Sequence, residues 1–472
     1  MHALLAPVLA QLVTLSLADR LEGHYVKAAP VEGQAQATLD PARVFDSSNT
    51  TIPSVALGLD RRRFSLTLGY APAFTIFPLE ESSRELLIVH RGALVGQYRF
   101  RRSTLSLVGA VSYGERDFQQ EAYGLNQPLA GRQTGTTQPT NQPGQNPGGT
   151  STTPNGGTGT NSGPGTTTPL PPGQTVPGTG AIAAQKQLIF NYGSFRGAAA
   201  FDYSLSRASS LHIGGGYLVA GGMDSLARTY YPLSRGPDGV ASLSFALDGR
   251  NTVTTTVFSQ YAFTDNALPV DATGTPPATP NPSPGTSRAF VTTLNEDYTH
   301  RFTRLFFASA GAGVSFSRTE PAGQLPLYSI YPTARASINL AQRVHRGALT
   351  LSFSIATSPV VDLTTVQVDP RVSTVGTVTW TRDRFSAGFA LSSTLSAAPH
   401  AAAAFNSLFA SLDAGYRFAD FATASAGLRA AWQTLGPRTL IAPSLITFAA
   451  VTLFFSNDPR HPLTPRPGMF HY

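Results

Sequence analysis

Between Arg61 and Phe77 large apolar residues alternate with small or polar ones. Phe64, Leu66, Leu68, Tyr70, Phe74 and Ile76 fall on even positions, with Ser65, Thr67, Gly69, Ala71, Ala73 and Thr75 between them. Successive side chains of a strand point to opposite faces, so this stretch predicts a β-strand with one apolar face. It is long for a soluble sheet, whose strands usually run about 5–6 residues. It suits a tilted strand crossing a bilayer, which needs roughly 9–11 residues. The pattern recurs along the chain. Leu105, Leu107, Val111 and Tyr113 oppose Ser106, Ser112 and Gly114. Leu211, Ile213, Tyr217 and Val219 oppose His212, Gly214 and Gly216, and Leu349, Leu351, Phe353 and Ile355 oppose Thr350, Ser352 and Ser354.

The connections alternate as well. Short links such as Asp60 to Arg63, Asp248 to Asn251 and Arg382 to Arg384 are separated by longer ones near 78–85, 119–185, 224–238, 266–287, 320–326, 362–370, 397–405 and 434–439. Tight turns at one end and long loops at the other are the signature of a transmembrane antiparallel up-and-down barrel. Counting from Ser54 to Phe455 gives about seventeen strands, whereas bacterial single-chain barrels have even numbers. A further strand within about Gly33–Phe45 restores parity, so about eighteen strands are predicted, with sixteen as the fallback.

Composition narrows the class. Only 13% of residues are charged, about half the share usual in soluble domains. No apolar run reaches the roughly 18 residues of a transmembrane helix. Cysteine is absent, which removes disulfides and thiolate chemistry together. The net charge of +7 comes from arginine, since Lys27 and Lys186 are the only lysines. The arginines sit singly at strand ends and turns rather than in a stripe, which argues against nucleic acid as a partner.

The first 18 residues read as a signal peptide, apolar from Ala3 to Leu17 and ending Ser16-Leu17-Ala18, or else as the start of a buried helix. On the export reading, residues 19–53 form an N-terminal segment that contains the possible first strand, 54–456 the barrel and 457–472 a periplasmic tail. Residues 127–185 carry one charge, Arg132, among Gly, Pro, Thr, Asn and Gln. Such a segment cannot bury enough apolar surface to order itself, so it is expected to be a disordered loop. A second Pro-rich loop spans 266–287.

Parity assigns inward positions to Arg91, Arg99, Arg196, Arg335, Arg417 and Arg429, and to Asp202, Asp248, Asp297 and Asp413. Glu296 shares the outward parity of Phe290, Leu294 and Tyr298, which implies either a place near the periplasmic rim or a register slip. No metal-ligand spacing, phosphate loop or dinucleotide fingerprint is present, so no catalytic residue, metal or cofactor is expected. His212 is the nearest thing to a general base.

Taken together, the alternating strands over about 50–456 resemble the bacterial outer-membrane β-barrels. Size and strand number are similar to the polysaccharide-export porins of myxobacteria, although the closing strand stops at Phe455 instead of ending the chain on an aromatic. The resemblance implies an outer-membrane location, contact with outer-membrane lipid, and insertion by the barrel-assembly machinery. It also implies a channel or export conduit for hydrophilic solutes or polysaccharide. A modest arginine excess among the inward positions favours anionic or hydroxyl-rich solutes; alternatively, those charges pair across the lumen and brace the wall. An anchor whose loops bind partners and a surface hydrolase are the other readings.

Overall fold

The computed structural model describes residues 13–26, 45–76, 86–117, 189–230, 232–266, 284–344, 347–361, 366, 368–396, 405–419, 421–435 and 439–456. The strands on the first half of the wall are β1 (Val13–Val26), β2 (Phe45–Asp60), β3 (Phe64–Tyr70), β4 (Ala73–Ile76), β5 (Leu87–Arg99), β6 (Ser103–Asp117), β7 (Ile189–Ser204) and β8 (Ser209–Gly222). A single helical turn, α1 (Ser225–Tyr230), precedes β9 (Leu233–Ala246), β10 (Asn251–Asp265) and β11 (Thr286–Arg301). The remainder are β12 (Phe306–Glu320), β13 (Leu327–Val344), β14 (Gly347–Val361), β15 (Val368–Arg382), β16 (Phe385–Ser396), β17 (Phe405–Ala419), β18 (Ala422–Leu435) and β19 (Thr439–Ser456).

Each strand pairs antiparallel with its sequence neighbours, and β1 pairs with both β19 and β2, so the sheet closes. β3 and β4 are two pieces of one strand, interrupted at Ala71-Pro72 and both lying between β2 and β5. Nineteen segments therefore make an eighteen-strand barrel. Proline has no N–H to give the ladder, and the break at Pro72 is where the pairing lapses.

The position of the first strand differs from expectation. The parity strand predicted within about Gly33–Phe45 lies, up to residue 44, outside the described residues, and the extra strand is Val13–Val26. An apolar run suits both a leader and a strand. Here Leu15, Leu17 and Leu21 are exposed on the outer face while Ser16, Ala18 and Arg20 face inward. Cleavage after Ala18 would divide this strand. The low-complexity loop at 127–185 and the tail after Ser456 also lie outside the described residues.

Around the wall the outward face is apolar and open. Leu57, Leu68, Leu107, Phe195, Ile213, Leu294, Phe353 and Phe389 are all exposed. In water such a surface would be an aggregation hazard; on a closed sheet with every strand paired it is a membrane-spanning wall. The inward face carries small hydroxyls bonded between register partners. Ser244–Thr254 (2.9 Å), Thr293–Ser315 (2.9 Å), Ser309–Ser337 (2.7 Å) and Ser352–Thr377 (2.7 Å) are examples. Paired aromatics lie close to the short turns, among them Tyr98–Phe100, Phe302–Phe306 and Trp380–Phe385. Others, such as Tyr261–Phe263 and Phe316–Tyr328, lie near the long connections. These are the two interfacial girdles. Glu296 keeps its place without a register slip. It is exposed on the outer face, opposite Thr255 and Ala312.

Candidate functional site

An eighteen-strand barrel is wide enough to leave an aqueous lumen, so the inward side chains constitute the candidate site. The charged ones do not simply project into the opening. Arg196 of β7 bonds Asp238 of β9 at 2.5 Å, passing over the intervening β8. The register places Gly216 opposite Asp238. A Cβ on Gly216 would stand 2.5 Å from the Asp238 carboxylate, so only glycine lets the bridge cross.

The same device recurs between β11 and β13. Asp297 and Arg335 form a two-point ion pair across β12, over Gly311. One step along, Thr333 donates to Asn295 at 2.5 Å over Gly313. Both ion pairs are largely shielded, with side-chain exposures of 21% and 16% in the first and 17% and 11% in the second. These charges therefore compensate one another along the wall rather than across the lumen.

The other predicted positions divide by height. Asp202 accepts from or shares a proton with His212 at 2.7 Å on the adjacent strand. The His212 Nε2 is buried with no hydrogen-bond partner among the described residues. Asp248 was assigned to the lumen, but β9 ends at Ala246 and Asp248 lies in the short turn. There its carboxylate accepts from the backbone N–H groups of Arg250 (2.6 Å) and Asn251 (2.7 Å) and from the Asn251 side chain (2.6 Å). Those bonds, the Arg250 backbone bond foremost, hold its pKa below the ordinary carboxylate value. Arg99 ends β5 at the same mouth and bonds Gln97 at 3.0 Å.

Arg91, Asp413, Arg417 and Arg429 occupy inward positions on β5, β17 and β18. Asp413 lies over Gly388, about 3 Å from where a Cβ would be. Arg429 shares the ring of Phe448 with Arg20, at 5.1 and 4.3 Å from its centroid. Arg20, Asp238 and Arg371 are lumenal residues that the alternation did not single out. Arg20 fell just past the supposed leader, Asp238 inside a supposed loop, and Arg371, which is buried, just past another. Extending the alternation two or three residues into each flanking segment would have found all three.

Part of the lumen is covered from within. Val366, in the long connection between β14 and β15, is buried among Ala262, Ala289 and Val291, with Leu218 of β8 packed alongside. Those four lie on the inner faces of β8, β10 and β11. Val366 is thus held against the inner faces of β8, β10 and β11. Val366 adopts φ 59°, a left-handed conformation that a β-branched residue takes only when its surroundings hold it there. A second inward feature is α1, whose Ala227 packs against Gly222 at the outer end of β8. Asp224 caps the turn through the Ala227 N–H at 2.7 Å and holds the Asn191 N–H at 3.2 Å. The connection after β12 also tucks in, with the Ala322 N–H bonding the Ser287 hydroxyl at 3.0 Å. Among the described residues no group of three or more His, Cys, Asp or Glu converges in a way that could hold a metal.

No protein-family model and no curated protein matches the chain. Among solved structures it is similar to the FrpB iron transporter of Neisseria meningitidis, at 10% identity and a TM-score of 0.44, covering 96% of this chain and 64% of that one. It is also similar to Pseudomonas aeruginosa OpdK, solved with vanillate, at 9% identity and a TM-score of 0.40 over 94% and 98% of the two chains. OccK2 (OpdF) of the same organism, solved with glucuronate, gives 10%, 0.40, 94% and 98%. All three scores lie below 0.5, so strand number and lumen rest on this chain's own geometry. By that geometry it is a membrane-spanning β-barrel.

Proposed function

We propose that the protein is a passive channel of the bacterial outer membrane. Hydrophilic solutes diffuse through its aqueous lumen, anions preferred over cations. The observation that carries this reading is the composition of the inner wall. Hydroxyls bonded to one another line it, and its arginines outnumber its aspartates once the Arg196–Asp238 and Arg335–Asp297 pairs are set aside. By register, Arg20, Arg91, Arg99, Arg116, Arg371, Arg417 and Arg429 then take inward places with Glu22, Asp46, Asp60, Asp369 and Asp413 on the strands outside β7–β13, a modest arginine excess. Val366, docked on the inner faces of β8, β10 and β11, narrows the passage there, which directs solutes along the arginine-bearing side. An extended polysaccharide, rich in hydroxyls, suits the same lining, and export of such a chain is the finer form of the proposal. Insertion would proceed through the barrel-assembly machinery.

Single-channel recording of the purified protein in a planar bilayer tests this. Discrete conductance steps and a reversal potential of anionic sign under a potassium chloride gradient are expected. Soluble oligosaccharides that reduce the current would favour the export form. A sealed bilayer after confirmed insertion would refute the channel and favour an anchor whose outer connections bind partners. A cationic reversal potential would refute the anion preference.

A further inference from the structure

Two adjacent rows of side chains on the membrane-facing wall combine arginine with aromatic rings close to the long connections. One row runs Arg235, Phe263, Arg288, Glu320 across β9 to β12. The next runs Tyr261, Phe290, Arg318, Tyr328 across β10 to β13. All eight residues share the outward parity of their strands. Between the rows lies a cleft of about 90 Å³ lined by Tyr261, Arg288, Ala289, Phe290, Arg318 and Glu320.

Its polar groups are only partly satisfied by one another. Arg318 reaches Glu320 at 3.4 Å and stacks over Tyr328 at 5.8 Å, while Arg235 reaches Asp265 at 3.3 Å. Arg288 makes no ion pair among the described residues. Two guanidiniums against the one Glu320 carboxylate leave the cleft net positive, at the depth where lipid headgroups meet the acyl region. Below it the outward face turns apolar. Phe316 and Ile330 come next, Ile330 being 71% exposed, on a row whose Ser259 and Thr292 hydroxyls bond each other at 2.6 Å, followed by Val257, Leu294 and Val314. A headgroup held by the arginines would lay its chains down this strip.

We propose that this exterior cleft binds the phosphorylated headgroup of an outer-leaflet glycolipid. Arg288 and Arg318 hold the phosphate, Glu320 orients Arg318, and Tyr261, Phe290 and Tyr328 carry the sugar and the first methylenes. Guanidinium matches phosphate with two parallel bonds, and aromatic side chains are at home where one side is wet and the other apolar. The site stands apart from the lumen, so it holds whether or not the barrel conducts.

Native mass spectrometry of the detergent-purified full chain tests it with three probes. They are a bis-phosphorylated acylated glucosamine disaccharide, the same lipid with its phosphates removed, and inorganic phosphate. The phosphorylated lipid is expected to be retained about tenfold more than the dephosphorylated one, the worth of one charge-assisted hydrogen bond. Inorganic phosphate should not displace it. A double variant, Arg288→Gln with Arg318→Gln, should fall to the dephosphorylated level. Equal retention of the two lipids, or undiminished retention by the double variant, overturns the site. Displacement by inorganic phosphate at matched concentration overturns the lipid assignment in favour of a free anion. Should the double variant fail to give the folded, heat-modifiable band, the comparison of lipids on the unaltered protein decides alone.

Discussion

Gly216→Ala tests whether the wall's ion pairs depend on glycine beneath them. The new methyl would lie 2.5 Å from the Asp238 carboxylate, 3.0 Å from the Gly197 carbonyl and 3.3 Å from Ala198 Cβ. Ordinary contact needs roughly 3.5 Å, so the carboxylate must retreat by about 1 Å. That opens the 2.5 Å bond to Arg196 to the limit at which a hydrogen bond survives. A fully buried pair broken this way costs about 3–5 kcal/mol, and an exposed one about 0.2–1 kcal/mol. With side chains 21% and 16% exposed, this pair lies between those limits, at about 2 kcal/mol. The assay is urea unfolding of the barrel from lipid vesicles, repeated in an Asp238→Ala background. If the cost arises from the ion pair, Gly216→Ala should be nearly neutral once Asp238 is gone. An equal cost in both backgrounds would refute the argument and leave only the clash with the Gly197 carbonyl.

Leu68 is 44% exposed on the outer face, so Leu68→Arg should destabilise by about 2–4 kcal/mol near the bilayer midplane, while inward-facing Thr67→Arg should insert normally; equal tolerance in a heat-modifiability assay would contradict the assigned faces. Val366→Asp should undock the β14–β15 connection from Ala289 and Val291 and raise single-channel conductance, and an unchanged conductance would show that the connection does not narrow the path. Asp248 titrates below the ordinary carboxylate value when folded, so its contribution is present at neutral pH and fades as pH falls through that depressed value. Asp248→Asn should therefore cost more stability at pH ~7 than at pH ~3, and a pH-independent cost would refute the role of its charge. N-terminal sequencing of the mature protein should show 13–18 retained, because Val13–Ala18 pair with Ile52–Leu57 and Thr14–Ala18 also with Thr452–Ser456 and their loss leaves backbone unpaired within the membrane. Asp19 as the first residue would refute this.

Which face each strand turns outward was legible from the chain alone, because period two survives any error in strand ends. Leu107, Ile213 and Phe353 are outward as their parity demands. Glu296 is outward too, although a carboxylate there looked anomalous. Strand ends were less legible. Asp238 and Arg371 lie where the alternation runs into proline-bearing segments, Gly236-Pro237 and Asp369-Pro370, and those read as loop. Arg20 was hidden because a strand with Leu15, Leu17 and Leu21 on one face and only small residues before Arg20 on the other also reads as a leader. Docking of Val366 has no periodic signature at all, since it depends on where a connection lands inside the barrel.

The charges show why parity finds a lumen residue but not its role. Inward parity placed Arg196 and Arg335 correctly, yet a choice between lining the path and bracing the wall needs the register of strands two apart. Arg196 and Asp238 are 42 residues apart in sequence, and they meet because β8 carries glycine, not alanine, at the crossing point. Asp297 and Arg335 meet across Gly311 on the same terms. A side chain at that crossing would turn both partners into the lumen and add a positive and a negative charge to the path. The glycines thus decide how much of the lumen's formal charge is compensated along the wall. Wherever an inward glycine lies between an arginine and an aspartate two strands apart, the two charges pair along the wall and are subtracted from the formal charge of the lumen.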